Sequence, residues 1–160
     1  MPSPSQVLRR RDWLSHSLCA LSLMGAVPAL AAGEGLPEAR SLPQSLEKAL
    51  AQGQPLIVMA SLEGCVYCKM ARQSHLLPMH QQGQAIVQLD LRSAQSVVDF
   101  SGQPTTHDQL TRAWKISVAP TLLFFGRGGR EVAERMEGAY LPDFYGAYLD
   151  ERLAKGRKRL

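Results

Sequence analysis

The sequence has little net charge, few aromatic residues, and neither an internal repeat nor a low-complexity tract. Of its 160 residues, 20% are charged and 6% are aromatic, and the formal net charge is +4. Without residues 1–31 the net charge is +2, and so small an excess of positive charge predicts no nucleic-acid-binding surface. The composition is not that of a disordered, collagen-like or multi-span membrane protein. A length of 160 residues with 45% hydrophobic content fits one globular domain.

The first 31 residues have the three parts of a signal peptide. Arg9–Arg11 form a positive start, residues 18–27 form an apolar run that is too short to span a membrane, and Ala29-Leu30-Ala31 supplies a small-x-small pattern. We therefore expect cleavage after Ala31 or Ala32 and export, with no membrane span left; an uncleaved anchor is the alternative. The adjacent arginines leave the general and twin-arginine export routes open. Removing residues 1–31 lowers the net charge to +2, since three arginines and one aspartate are lost.

The hydrophobic pattern of the remaining chain predicts an α/β domain over residues 41–154. Residues 32–40, rich in Gly, Pro and Glu, are expected to be a flexible lead-in, and residues 155–160 a solvated basic tail. Strand–helix–strand followed by a hairpin gives one central mixed sheet covered by helices. The first predicted elements are a helix with Ser41 as its N-cap, a buried strand at 55–60, a helix to about His80 and a strand at 85–91. They are followed by an extra short strand at 97–98, a helix with the same capping spacing at Thr106, strands at 121–125 and 131–136, and a helix at 142–153.

Loss of the leader also removes Cys19 and leaves two cysteines, Cys65 and Cys68. A disulfide across two intervening residues closes so small a loop that it adds little stability. The pair is therefore expected to take part in chemistry and not to serve as a structural bridge. It lies where a buried strand gives way to a helix. The first cysteine is therefore expected at a helix N-terminus, where free N–H groups, the helix dipole and the charge of Lys69 favour its thiolate. Cys68, one turn further on, is placed to attack a mixed disulfide formed by Cys65.

Metal binding is the competing interpretation of these cysteines. A zinc site could be written from the pair together with His75 and His80, but His75 would lie about 10 Å along the helix from Cys68. That spacing does not close a tetrahedron, so we predict no zinc site. A soft-metal module or metallochaperone that uses the dithiol alone stays an alternative.

Several segments together resemble the thioredoxin superfamily, over residues 41–153. Within that superfamily the sequence is similar to exported bacterial thioredoxin-like proteins of the SoxW/SoxS and DsbD C-terminal kind. The segments that carry the resemblance are Gly64-Cys65-Val66-Tyr67-Cys68-Lys69-Met70, Asp99-Phe100-x-Gly102, Ile116–Phe125, Gly129-Arg130-Glu131 and Gly138-Ala139-Tyr140.

The resemblance implies a thioredoxin-like fold and a periplasmic thiol–disulfide oxidoreductase that reduces protein or small-molecule disulfides. Cys65 and Cys68 correspond to the redox pair. Pro120 corresponds to the proline that follows a cis peptide bond and, with Ala119, shapes the substrate groove. The partners implied are a disulfide-bearing substrate protein and a membrane electron donor of the DsbD type. No cofactor is expected.

Some positions depart from cytosolic thioredoxins. A buried Asp in the first central strand is replaced by Met59, and a Trp before the first cysteine by Gly64. Glu63 could replace the missing acid and tune the cysteines together with Lys69, or it could be a solvated loop acid; both interpretations stay open. Val66-Tyr67 stands between the cysteines in place of Gly-Pro, which leaves the redox direction open.

Two further expectations concern single side chains. His107 falls in the first turn of a predicted helix and is expected at the surface. Trp114, six residues before Pro120, lies in a segment that the resemblance places near the redox pair.

Overall fold

The predicted helices and strands follow one another in the predicted order, and the structure adds a short strand at residues 104–106 that the hydrophobic pattern does not predict. The structure is a computed structural model, and it describes residues 35–139 and 142–160. The leader predicted over residues 1–31 lies outside the described residues. The elements are α1 (Leu42–Ala51), β1 (Leu56–Ser61), α2 (Val66–Ala71), a π-helical turn (Arg72–Leu76), α3 (Leu77–Gln81), β2 (Ile86–Asp90), β3 (Ser96–Val98), β4 (Pro104–Thr106), α4 (His107–Ala113), β5 (Thr121–Gly126), a 3-10 turn (Arg127–Gly129), β6 (Arg130–Glu131), β7 (Met136–Glu137) and α5 (Pro142–Arg157).

Two helices begin at the capping residues that the sequence indicates. The side chain of Ser41 accepts the Gln44 N–H at the start of α1, and the Thr106 hydroxyl accepts the Gln109 N–H at 3.2 Å at the start of α4. Each bond satisfies one of the backbone donors that the first turn of a helix leaves free.

The strands form the predicted mixed central sheet. Its order is β2-β1-β5-β6, and β7 also pairs with β5. β1 is parallel to β2 and antiparallel to β5, so Ile57 lies opposite Ile86 on one side and Phe124 on the other. The strand predicted at 131–136 is replaced by the two short strands β6 and β7. The extra strand predicted at 97–98 is β3, which forms a separate two-stranded sheet with β4.

Alternate residues of β1 enter two different cores. Ile57 and Met59 pack on one face of the sheet with Cys68 and Tyr145, whereas Val58 packs on the other face. Trp114 belongs to this second face, where it lies against Phe100 and Phe125 with ring centroids 6.1 and 5.0 Å away. The expectation that Trp114 packs near the redox pair is therefore wrong, because the sheet lies between the two cores.

The lead-in is part of the fold. Ala39 donates its N–H to the Gln88 carbonyl oxygen, and the Gln88 N–H is accepted by Pro37, both at 2.8 Å. The side chains of Leu36 and Ala39 are buried. The predicted flexibility is thus wrong for residues 36–39, since this segment pairs with β2, whose edge would otherwise present unpaired backbone groups.

The last helix runs four residues beyond its predicted end. The side chain of Arg152 is only 11% exposed and forms ion pairs with Glu134 at 2.9 Å and Glu151 at 3.1 Å. Gly156 is buried as well. The basic tail is therefore partly packed, because α5 continues along the domain to Arg157.

His107 is fully buried, not at the surface as expected. Its Nδ1 accepts the Asp90 N–H at 3.2 Å, and its Nε2 lies 3.0 Å from the Ala39 carbonyl oxygen. Because Nδ1 is the acceptor, Nε2 carries the proton and donates it to Ala39. The ring thereby joins α4 to the end of β2 and to the docked lead-in.

Replacing His107 with Leu should lower the free energy of unfolding by about 2–4 kcal/mol, since the partly buried Asp90 N–H and the buried Ala39 carbonyl would lose their partner. Urea unfolding of the oxidised protein measures this loss. Gln109→Leu, on the exposed side of the same helix, should change stability by no more than about 0.5 kcal/mol. Equal losses in the two variants would contradict the role assigned to the imidazole.

Candidate active site

A tight turn carries the chain from β1 into the helix that bears the cysteines. Cys65 donates its N–H to the Leu62 carbonyl oxygen at 3.2 Å, and Gly64 has a φ of +74°. That left-handed conformation is easy for glycine and strained for a larger residue. Gly64, which stands where cytosolic thioredoxins have a Trp, thus permits the tight turn that leads from β1 to the first cysteine.

Cys65 and Cys68 form a disulfide with a Cα–Cα distance of 5.2 Å. Cys65 is the N-cap of α2, and its Sγ accepts the Cys68 N–H at 3.1 Å. The two cysteines are unequal in access: Cys65 is half-buried, whereas Cys68 is 1% exposed and belongs to the core. In the reduced protein, the same N–H and the helix dipole would stabilise a thiolate on Cys65.

The loop before β5 lies against this disulfide. The Ala119–Pro120 peptide bond is cis, and the Ala119 carbonyl oxygen is 3.8 Å from Cys65 Sγ. Two hydrogen bonds hold the loop: Gly138 N–H donates to the Pro120 carbonyl at 2.8 Å, and the Thr121 hydroxyl donates to that of Val118 at 2.7 Å. The structure therefore brings Cys65, Cys68, Ala119 and Pro120 together.

Apolar side chains remain exposed around the disulfide. Val66 is 75% exposed, Tyr67 57% and Val118 43%. The first two stand between the cysteines and the third precedes Ala119. An exposed apolar patch beside a reactive group is typical of a surface that receives a partner.

Lys69 and Glu63, the two residues expected to tune the cysteines, are both exposed to solvent. Lys69 is exposed, one turn after Cys65 on the same helix. Glu63 is exposed in the turn and forms no hydrogen bond or ion pair with another described residue, which favours the solvated-loop interpretation. Met59 is fully buried in the core that contains Cys68, where cytosolic thioredoxins have an acid.

The two histidines of the alternative zinc site are engaged elsewhere. His75 stacks on Tyr145 with ring centroids 4.7 Å apart, and burial lowers its pKa. His80 Nδ1 lies 3.2 Å from the Gln84 carbonyl oxygen. Within the part of the chain that the structure describes, no three His, Cys, Asp or Glu residues come together in a metal-binding group.

Sequence reasoning missed Arg72, which lines a cleft of about 1040 Å³ together with Cys65. The signal available was its spacing: Cys65, Lys69 and Arg72 follow each other at i, i+4 and i+7, which places them on one face of a helix.

Comparison with known proteins agrees with this architecture. The model of a family described as a thioredoxin-like domain matches residues 42–153, well over half of the chain. No curated protein matches the sequence.

Three solved structures illustrate the similarity. A DsbH oxidoreductase is 19% identical with a TM-score of 0.51, and the alignment covers 74% of this chain and 85% of that one. A thioredoxin from Thermus thermophilus is 18% identical with a TM-score of 0.49, covering 72% and 85%. The periplasmic thioredoxin SoxS from Paracoccus pantotrophus, in its reduced form, is 17% identical with a TM-score of 0.43, covering 64% and 98%. At such identities the similarity concerns the fold alone.

Limited alkylation of the reduced protein should modify Cys65 before Cys68, because Cys65 is accessible and its thiolate is stabilised at the helix start. Tryptic cleavage after Lys48 and Lys69 leaves both cysteines on one peptide, whose fragment ions identify the labelled residue. In denaturant the two cysteines should react alike. Equal rates in the folded protein would show that their roles are assigned wrongly.

Proposed function

The chain belongs to the family of thioredoxin-like domains, and on that premise we propose that it is an exported reductase of disulfides in proteins or small molecules. Its reaction class is that of a thiol–disulfide oxidoreductase, since it combines the thioredoxin-like fold with a Cys-x-x-Cys disulfide. The observation that carries the proposal is the unequal exposure of the two bonded cysteines: one can meet a substrate, and the other cannot.

The reductive reaction consists of two exchanges. The Cys65 thiolate attacks one sulfur of the substrate disulfide, a mixed disulfide forms, and the other substrate sulfur leaves as a thiolate. The Cys68 thiolate then attacks Cys65 Sγ, the bond between Cys65 and the substrate breaks, and the Cys65–Cys68 disulfide forms. The substrate gains two electrons and, once its thiolates are protonated, two protons. The protein loses the same two electrons.

The loop of Ala119 and Pro120 is the proposed substrate groove. The Ala119 carbonyl oxygen, next to Cys65 Sγ, is placed to accept an N–H from an extended segment of substrate. The exposed side chains of Val66, Tyr67 and Val118 would cover its apolar residues. Backbone pairing of this kind gives affinity for peptides with little demand on their sequence.

Export is supported by the pattern of residues 1–31 and by the position of the fold. Leu36 is the first buried residue described, so cleavage after Ala31 or Ala32 would leave the described domain intact. Among the described residues, no helix has the length and apolar character needed to cross a membrane. Because an export compartment is oxidising, the reductase needs a supply of electrons, which we assign to a membrane donor of the DsbD type acting by thiol exchange.

Cys68→Ser should leave the attack by Cys65 intact and block resolution, so that substrate proteins accumulate as mixed disulfides. Purification of this variant from its host followed by non-reducing electrophoresis should show adducts that dithiothreitol releases. Cys65→Ser is the matched control and should trap nothing, since Cys68 is buried. Adducts on Cys68 instead would overturn the mechanism.

The exported protein should begin at Ala32 or Gly33, because a small residue, Ala31 or Ala32, stands immediately before each of the two cleavage points. N-terminal sequencing of the protein released from the periplasm of a Gram-negative host determines this. Replacing both Ala31 and Ala32 with Phe removes the small residue before each cleavage point and should leave the leader attached. Exported protein that still begins at Met1 would refute the predicted leader.

A further inference from the structure

One face of the cysteine-bearing helix carries two cations that line the same cleft as the attacking cysteine. Cys65, Lys69 and Arg72 line the same cleft, whereas Cys68 is turned into the core. Neither Ala119 nor Pro120 lines this cleft, which therefore lies beside the proposed groove and shares Cys65 and Val66 with it. A substrate that reacts at Cys65 can therefore contact both surfaces at once.

Arg72 is held in a fixed position by neutral groups. Its Nε donates to Gln88 Oε1 at 2.8 Å, and its Nη2 donates to the Ser61 hydroxyl at 2.9 Å. The Gln88 amide is oriented in turn, because its Nε2 donates to Asp90 Oδ1 at 3.0 Å. The guanidinium is thus positioned from both β1 and β2, the two strands that form the floor of the cleft.

The charge of Arg72 is not neutralised by these contacts. The side chain is half-buried, and no carboxylate of the described residues lies within ion-pair distance of it. A guanidinium has five N–H donors in a planar fork suited to a carboxylate, and only two of its nitrogens are engaged here. A fixed, partly desolvated cation of this kind favours an anionic ligand.

The rest of the cleft adds charge of both signs. Lys69 and Arg92 are cationic, and neither forms an ion pair with a described residue. The acids are Glu63, which is exposed in the turn, and Asp90, which accepts the Gln88 amide. Three cations therefore face two carboxylates, and Arg72 is the one of the three cations that hydrogen bonds to other described residues hold in place.

We propose that this cleft binds a carboxylate of the disulfide substrate, with Arg72 as the residue that determines this specificity. The inference rests on the proposed function and adds the chemical class of its substrate: disulfides flanked by an acidic group. Arg72 lies about 10 Å along the helix axis from Cys65, and helical side chains lean back toward the N-terminus. Since an extended peptide rises about 3.3 Å per residue, the carboxylate belongs two or three residues from the reacting cysteine.

The test is the second-order rate at which matched peptide disulfides oxidise the reduced protein, which requires no electron donor. The peptides carry Glu, Gln or Lys three residues from the cysteine. Wild type should react about tenfold faster with the Glu peptide than with the Gln peptide, as expected for a charge-assisted hydrogen bond. Arg72→Gln should react at equal rates with the Glu and Gln peptides, whereas Arg72→Lys should keep part of the preference.

Arg130→Gln is the matched control, because it removes the same charge from the opposite edge of the sheet, in β6; it should retain the full preference. If Arg72→Gln does not fold, wild type alone suffices: its preference for the Glu peptide should fall at high salt, which screens the pair. Equal rates with Glu and Gln peptides, or faster reaction with Lys, would overturn this inference and leave the reductase proposal standing. No reaction with any peptide would instead refute the proposed function.

Acidic segments of proteins and small disulfides with free carboxylates offer the same chemistry, and a further comparison separates them. Glutathione disulfide is tested against its ester, in which the carboxylates are masked. If glutathione disulfide reacts faster than its ester, and Arg72→Gln removes this difference, small molecules use the cleft. If the ester reacts as fast while the Glu peptide keeps its preference, the carboxylate is supplied by protein segments. Either result supports the cleft as a carboxylate site.

Discussion

β1 is buried on both faces, and the rest of the structure depends on covering it. Every residue from Leu56 to Ser61 is inaccessible to solvent, so helices must pack on each side of the sheet. The helix that follows β1 covers one face together with α5, while α1 and α4 cover the other. Because β1 ends in a tight turn, Cys65 lies half-buried at the end of the sheet, and Cys68 enters the core one turn later.

The end of β2 connects this catalytic edge to parts of the chain far away in sequence. Gln88 pairs with the lead-in through its backbone and orients Arg72 through its side chain, and His107 holds the backbone of Asp90. The docked lead-in thus belongs to the same network as the cleft. We expect changes in residues 36–39 to affect the position of Arg72 as well as stability.

The site reaches its chemical asymmetry without the buried acid of cytosolic thioredoxins. Met59 leaves Cys68 in an apolar core, and Glu63 is directed to solvent. What distinguishes the cysteines is therefore access and the hydrogen bond from the Cys68 N–H to Cys65 Sγ. The loop of Ala119 and Pro120 adds the surface on which a substrate can lie.

The amino-acid sequence by itself determined the features that depend on neighbouring residues: the order of helices and strands, the caps at Ser41 and Thr106, and the placement of Cys65 and Cys68 at a strand-to-helix junction. Those follow from periodicity and local hydrogen bonding, which a short window of sequence contains. Only the tertiary structure decided that His107 is buried, that residues 36–39 pair with β2, that Trp114 lies across the sheet from the cysteines, and that Arg72 meets Gln88. Each of these rests on contacts between residues distant in sequence, where the partner that satisfies a polar group or covers an edge is chosen by the packing of the whole domain.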